Sequence, residues 1–117
     1  MANWELYVEY RFQCVYCGLD GRAQRAWWVF TNDHIVPTAL GGPDTPLNLV
    51  LACSGCNSTK KSFDPTEGGR DPLTPESRQR LIEKARKYIA QMRARQSEDF
   101  RRLVLDQLGD EVKLAPK

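Results

Sequence analysis

Two Cys-x-x-Cys pairs constrain this chain more than any other feature. Cys14 and Cys17 stand in "CVYCG", Cys53 and Cys56 in "CSGC", and these are all 4 cysteines of the 117 residues. The pairs are separated by residues 18–52. The short spacing inside each pair lets both sulfurs point at one centre, so two such knuckles can present four thiolates to one tetrahedral Zn²⁺. Gly18, directly after the first pair, offers the permissive backbone a tight knuckle wants. Two disulfides or a redox dithiol are the competing readings. A redox site needs one pair only, and the N-terminal "MANWELYVEY" has neither the basic nor the apolar run of an export signal, which disfavours a disulfide framework. Four thiolates complete the coordination sphere, so such an ion braces the fold and leaves no open position for chemistry. Its binding free energy, about 10–16 kcal/mol in small zinc modules, would pin the N-terminal segment to the middle of the chain.

The length fits a single domain. A hydrophobic content of 41% excludes a disordered tail. No apolar run approaches the ~18 residues of a bilayer span, so no membrane partner is expected and the cytoplasm is the default compartment. The net charge of +2 is too small to argue for nucleic acid by itself, but it is unevenly spread. Residues 1–72 carry six Lys/Arg against eight Asp/Glu, a net of −2, whereas residues 73–117 carry eleven against seven, a net of +4. A basic C-terminal third suits either a phosphate-facing arm or a solvated basic helix.

Residues 3–12 read as a short helix leading into the first knuckle. "AWWVFTNDHIV", 26–36, is rich in β-branched and aromatic residues and reads as a strand, with Trp27 and Trp28 expected in the core. "PTALGGPDTP" is a Pro/Gly loop, "LNLVLA", 47–52, a second strand, and "SGCNSTKK", 54–61, a helix start with Ser54 as N-cap. After a Pro/Gly linker, Thr74, Pro75 and Glu76 open a longer helix. Leu81, Ala85, Tyr88, Ile89 and Met92 form its apolar stripe, flanked by Arg86 and Arg93 among other cations. Ser97 offers the start of a further turn or a separate helix, with Phe100, Leu103, Val104 and Leu108 as its apolar face and Gly109 as its stop. The expected organisation is a zinc-braced core over 1–62, a linker over 63–73, a basic amphipathic helical extension over 74–109 and a tail over 110–117.

His34 is the single histidine, and it follows Asp33 near the end of the first strand. Asn48 opens the second strand and Asn57 lies in the closing helix. The run "CVYCG…NDHIVPTALGGPDTPLNLVLACSGCNSTK", covering residues 14–60, resembles the HNH endonuclease family in the version whose ββα-metal fold is bracketed by two Cys-x-x-Cys pairs. The fold class that follows is α+β: a small ββα-metal core with a four-cysteine zinc site, a short N-terminal helix and a C-terminal helical extension. The resemblance implies a metal-dependent hydrolase of DNA phosphodiester bonds. Its chemistry needs a base to activate water and a hard divalent cation to neutralise phosphate charge. An imidazole, with an ordinary pKa of about 6.5, can take the water's proton near neutrality. By resemblance, His34 is that base, Asp33 and Asn57 hold the catalytic cation, and Asn48 fixes the loop or the histidine by hydrogen bonds. Successive strand residues point to opposite faces, so a bend or bulge near His34 is expected to bring base and cation onto one phosphate.

The chain departs from the family's pattern in one respect. Many members carry a histidine where this chain has Asn57, and some a further one where it has Lys61. Losing imidazole donors shifts the preferred cation from softer transition metals toward Mg²⁺ or Mn²⁺, with another divalent transition metal as the alternative. Lys60, at a position where this version of the motif commonly has lysine, together with Lys61, Arg86 and Arg93, are the candidate phosphate contacts on DNA, expected to be double-stranded. The helical extension could also join two copies into a homodimer, since one catalytic unit cuts one strand at a time. A non-catalytic, zinc-stabilised nucleic-acid-binding module is the alternative reading.

Overall fold

The computed structural model describes residues 4–24, 27–69 and 73–109. The expected tail 110–117 and parts of the expected linker lie outside the described residues. The chain runs α1 (Trp4–Glu9), α2 (Gly21–Gln24), β1 (Phe30–His34), β2 (Leu49–Cys53), α3 (Ser54–Lys60), α4 (Pro75–Phe100) and α5 (Asp106–Leu108). This is the expected α+β architecture, with a two-stranded sheet and the four cysteines gathered on one side.

β1 and β2 pair antiparallel with a register running from Phe30 opposite Cys53 to His34 opposite Leu49. All five pairs are present, so the bulge expected near His34 is replaced by regular alternation. Asp33 points inward and is buried, while the His34 side chain points to the other side and is partly exposed. Val50, Leu51 and Ala52 on β2 are fully buried, because this strand carries packing on both faces. β2 passes directly into α3, whose N-cap is Cys53 and not the expected Ser54. Its Sγ accepts from the Cys56 amide, so the cap and the knuckle are one structure.

The first strand is shorter than the sequence suggests. Residues Trp27–Val29 form a 3₁₀ turn, and Trp27 and Trp28 are 52% and 66% exposed. They are therefore not core residues. Trp27 packs edge-on against Trp4 and Trp28 at the surface, with ring centroids 5.6 and 5.8 Å apart. The core at that end is made by Leu6, Phe30, Tyr7 and Phe12.

α4 starts as expected. Thr74 caps it, Pro75 occupies the first turn, and Ser77 completes a reciprocal capping box. Ile82, Ala85 and Ile89 are the apolar residues it buries, with Leu81 and Tyr88 packed beside them. Tyr88 stacks on Phe63 at 4.0 Å, fastening the segment after α3. Ser97 opens no separate helix, for α4 runs through it to Phe100 and continues as a π-helical segment, Arg101–Leu105, into α5. Phe100, Leu103 and Leu108 on this projecting end face solvent.

Candidate functional site

The four cysteine sulfurs lie within 4.8 Å of one another, three of the residues being buried and Cys17 exposed. Cys17 and Cys53, one from each knuckle, place their sulfurs 3.7 Å apart. Backbone amides cradle the inner pair: Cys17 donates to Cys14 Sγ at 3.5 Å and Cys56 to Cys53 Sγ at 3.4 Å. A hydrogen bond from Cys56 pulls the Cys14 thiol down to about 4, while that same contact pushes Cys56 far up and burial raises Cys17. The same contact thus favours the thiolate on Cys14 and the thiol on Cys56. A soft, tetrahedral ion is what four clustered thiols of this kind fit. Burial opposes the Arg93 charge, yet the sulfurs of Cys56, Cys17 and Cys53 facing it more than offset that opposition. A side chain on Gly55 would collide with that guanidinium, its Cβ falling 2.9 Å from Arg93 Nη2.

A polar group lies at the end of β1, against α3. The Asp33 side chain is 6% exposed and the Lys60 side chain 0%. Lys60 Nζ stands 3.3 Å from Asp33 Oδ2 and donates to the His34 carbonyl at 2.9 Å. Tyr16, between the first pair of cysteines, donates its phenolic hydrogen to the same Oδ2 at 2.6 Å. Burial pushes the Asp33 carboxyl above its ordinary range, and Lys60 and Tyr16 pull it back only in part. Burial raises the Tyr16 phenol as well, beside the Asp33 charge, so it stays a donor. Asp33 Oδ1 makes no hydrogen bond with the described residues and reaches solvent. Lys60 is thus neither a phosphate contact nor a solvated lysine, because its ammonium is committed to the strand beneath it.

His34 places Nε2 3.0 Å from Asp44 Oδ1. A carboxylate can only accept, so the contact puts the neutral ring's proton on Nε2 and leaves the lone pair on Nδ1. Asp44 belongs to the loop between the strands, and Asn48 holds that loop. Asn48 is fully buried; its Oδ1 accepts from the Val36 amide at 2.9 Å, and its Nδ2 donates to the carbonyls of Val36 at 3.0 Å and Pro43 at 2.9 Å. The loop also needs Gly42, where a Cβ would lie 1.8 Å from the Val36 carbonyl oxygen. No other residue fits that turn.

Asn57 is half-buried on α3, and its side-chain amide makes no hydrogen bond with the described residues. Lys61 is exposed just past the end of the helix, at a positive φ of 49°. Arg86 does not project into open solvent, since its guanidinium donates to the Val15 carbonyl at 2.6 Å and pairs with Glu83. Arg86 and Arg93 therefore both face the cysteine knuckles. Tyr16 and Asp44 are the site residues that motif reading misses. Tyr16 is hidden inside a knuckle whose cysteines attract all the notice, and Asp44 reads as one more turn residue among Gly and Pro.

No curated protein and no solved structure matches the chain. Among protein families, the HNH endonucleases match residues 14–72, from the first knuckle through β1, β2 and α3 to the segment before α4. That span is half of the 117 residues and holds every polar group at the end of β1, so the chain belongs to the HNH endonuclease family.

Proposed function

We propose that this nuclease-type protein is a metal-dependent endonuclease that hydrolyses DNA phosphodiester bonds, with His34 as general base. The observations that carry the reading are the imidazole held by Asp44 and, one residue earlier on the strand, a carboxylate with one oxygen free of hydrogen bonds to the described residues. Asp33 Oδ1 and the Asn57 amide are hard oxygen donors with no competing hydrogen bond, and they suit Mg²⁺ or Mn²⁺ better than a softer ion. Such a cation, when bound, supplies charge neutralisation at the phosphate and the departing oxygen. The four-cysteine group takes Zn²⁺ and remains scaffold.

The chain's own residues then divide the work. Asp44 fixes the His34 tautomer, so Nδ1 receives a proton from water as its oxygen attacks phosphorus in line. The new O–P bond forms as the bond to the leaving sugar oxygen breaks, and solvent protonates that oxygen. Asn48 keeps the loop of Asp44 in place. Lys61, exposed at the end of α3, is the phosphate contact retained from the sequence reading. Double-stranded DNA is the proposed substrate.

One observation favours the other reading, a zinc-stabilised module that binds nucleic acid without cutting it. Lys60 already balances the Asp33 charge. Supercoiled plasmid with Mg²⁺ or Mn²⁺ separates the two. The wild type is expected to nick, and His34→Ala, folded by circular dichroism, to nick at least about 100-fold more slowly. Equal nicking by both proteins removes His34 from the chemistry; no nicking by either leaves the binding module.

A further inference from the structure

Tyr16 lies between two cysteines of the scaffold site, yet its polar atom is aimed at the other end of the molecule's chemistry. The side chain is buried, and its hydroxyl meets Asp33 Oδ2 at 2.6 Å across 17 residues of sequence. Lys60 reaches that same oxygen from α3 at 3.3 Å. A carboxylate gripped twice on one oxygen cannot rotate freely, and its second oxygen is presented in one direction. That second oxygen, Oδ1, is the one that reaches solvent.

The phenol itself has little freedom. The Val15 amide donates to the Leu51 carbonyl at 2.9 Å, and Arg86 donates to the Val15 carbonyl at 2.6 Å. Cys14 and Cys17, on either side, belong to the four-cysteine group. Tyr16 is therefore anchored to β2, to α4 and to the scaffold ion's ligands at once. Whatever fixes the knuckle fixes Asp33.

We infer that Tyr16 is a positioning residue for the cation site: held in the first knuckle, it clamps Asp33 Oδ2 and presents Oδ1 to a divalent cation. The inference rests on the nuclease reading, in which Asp33 is a cation ligand. It couples the scaffold site to the cation site through the Tyr16 hydroxyl, in addition to the chain continuity of Cys56 with Asn57 on α3. Charge-assisted hydrogen bonds to carboxylates are short and strong, and an unclamped carboxylate must be ordered when the cation arrives.

The test uses the full-length, zinc-loaded protein labelled with ¹⁵N and titrated with MnCl₂, following paramagnetic broadening of amide signals from β1 and α3. Tyr16→Phe is expected to need about tenfold more Mn²⁺ for half-maximal broadening, with zinc content and amide dispersion unchanged. Tyr16→4-aminophenylalanine keeps a weaker donor in place and is expected to need about threefold more; it carries the test if the Phe protein does not fold. A residue that only fills the core would lower the melting midpoint and leave the Mn²⁺ titration where it was, and wild-type affinity in whichever variant folds overturns the inference. Asp33→Asn is the reference. If broadening persists unchanged in Asp33→Asn, the ligand assignment under the nuclease reading is wrong. If it vanishes there but Tyr16→Phe matches the wild type, only the clamp is wrong.

Discussion

Asn48→Ala removes a side chain whose contacts set the size of the loss. The side chain is fully buried and makes three hydrogen bonds at 2.9–3.0 Å, all to backbone groups of Val36 and Pro43. Each such bond contributes about 1 kcal/mol net, and a buried group left unpaired costs more than the bond it lost. Truncation leaves the Val36 amide without its acceptor, so the total comes to about 3 kcal/mol. For a domain of this length, each kcal/mol moves the melting midpoint by roughly 4 °C, which predicts a fall of about 12 °C. Urea or thermal unfolding of zinc-loaded protein, followed by circular dichroism, measures it. Asn48→Asp sharpens the test, because it keeps an acceptor for the Val36 amide but turns a charged oxygen on two carbonyls. It should be at least as damaging as Ala. An Asn48→Ala protein within about 1 kcal/mol of wild type would refute the argument that this side chain holds the loop together.

Other outcomes follow from the same geometry. Asp44 is 84% exposed in its side chain, so solvent screens it and its loss should be modest. Asp44→Ala is expected to slow plasmid nicking roughly threefold to tenfold, while Asp44→Asn, which retains an acceptor for His34 Nε2, changes it by less than about twofold. A larger defect in Asn than in Ala would contradict the tautomer argument. Arg93 faces the sulfurs of a group that carries two net negative charges once four thiolates hold Zn²⁺. Arg93→Gln should therefore release zinc to a chromogenic chelator about tenfold faster at low salt, with the difference shrinking as salt rises. Unchanged release at all salt concentrations would show that the guanidinium is not a counter-charge.

The parts of the fold legible in the sequence are those fixed by chemistry over a few residues. Two cysteine pairs locate the knuckles, and Thr74 followed by Pro75 locates the start of α4. What the sequence hides depends on partners far along the chain. Lys60 looks like a helix lysine bound for solvent, and only Asp33, 27 residues earlier, makes its burial tolerable. The tryptophans mislead for a different reason. Aromatic and β-branched composition suggests a strand from residue 26, but the chain enters the sheet only at Phe30, and the 3₁₀ turn before it leaves Trp27 and Trp28 outside. Ser97 carries a local start signal that α4 overrides by continuing through it. The bulge anticipated at His34 is absent, since β1 keeps its regular pairing through Asp33 and His34, its last two residues.

The Lys60–Asp33 pair also bears on why this small core keeps charges inside at all. A buried ion pair returns little stability once the cost of desolvating both partners is counted, and apolar residues of similar volume would serve the fold as well or better. Here the cost is incurred in a unit of two five-residue strands and a seven-residue helix, where little core is available to absorb it. Nor are the charges fully hidden: Lys60 and Tyr16 both converge on Oδ2, while Oδ1 of the same group reaches solvent. Packing alone gives no reason for that asymmetry, since a pair serving only the core would satisfy both oxygens. A carboxylate held on one oxygen and free of hydrogen bonds on the other suits a cation ligand, and the nuclease reading accounts for the cost that the core cannot.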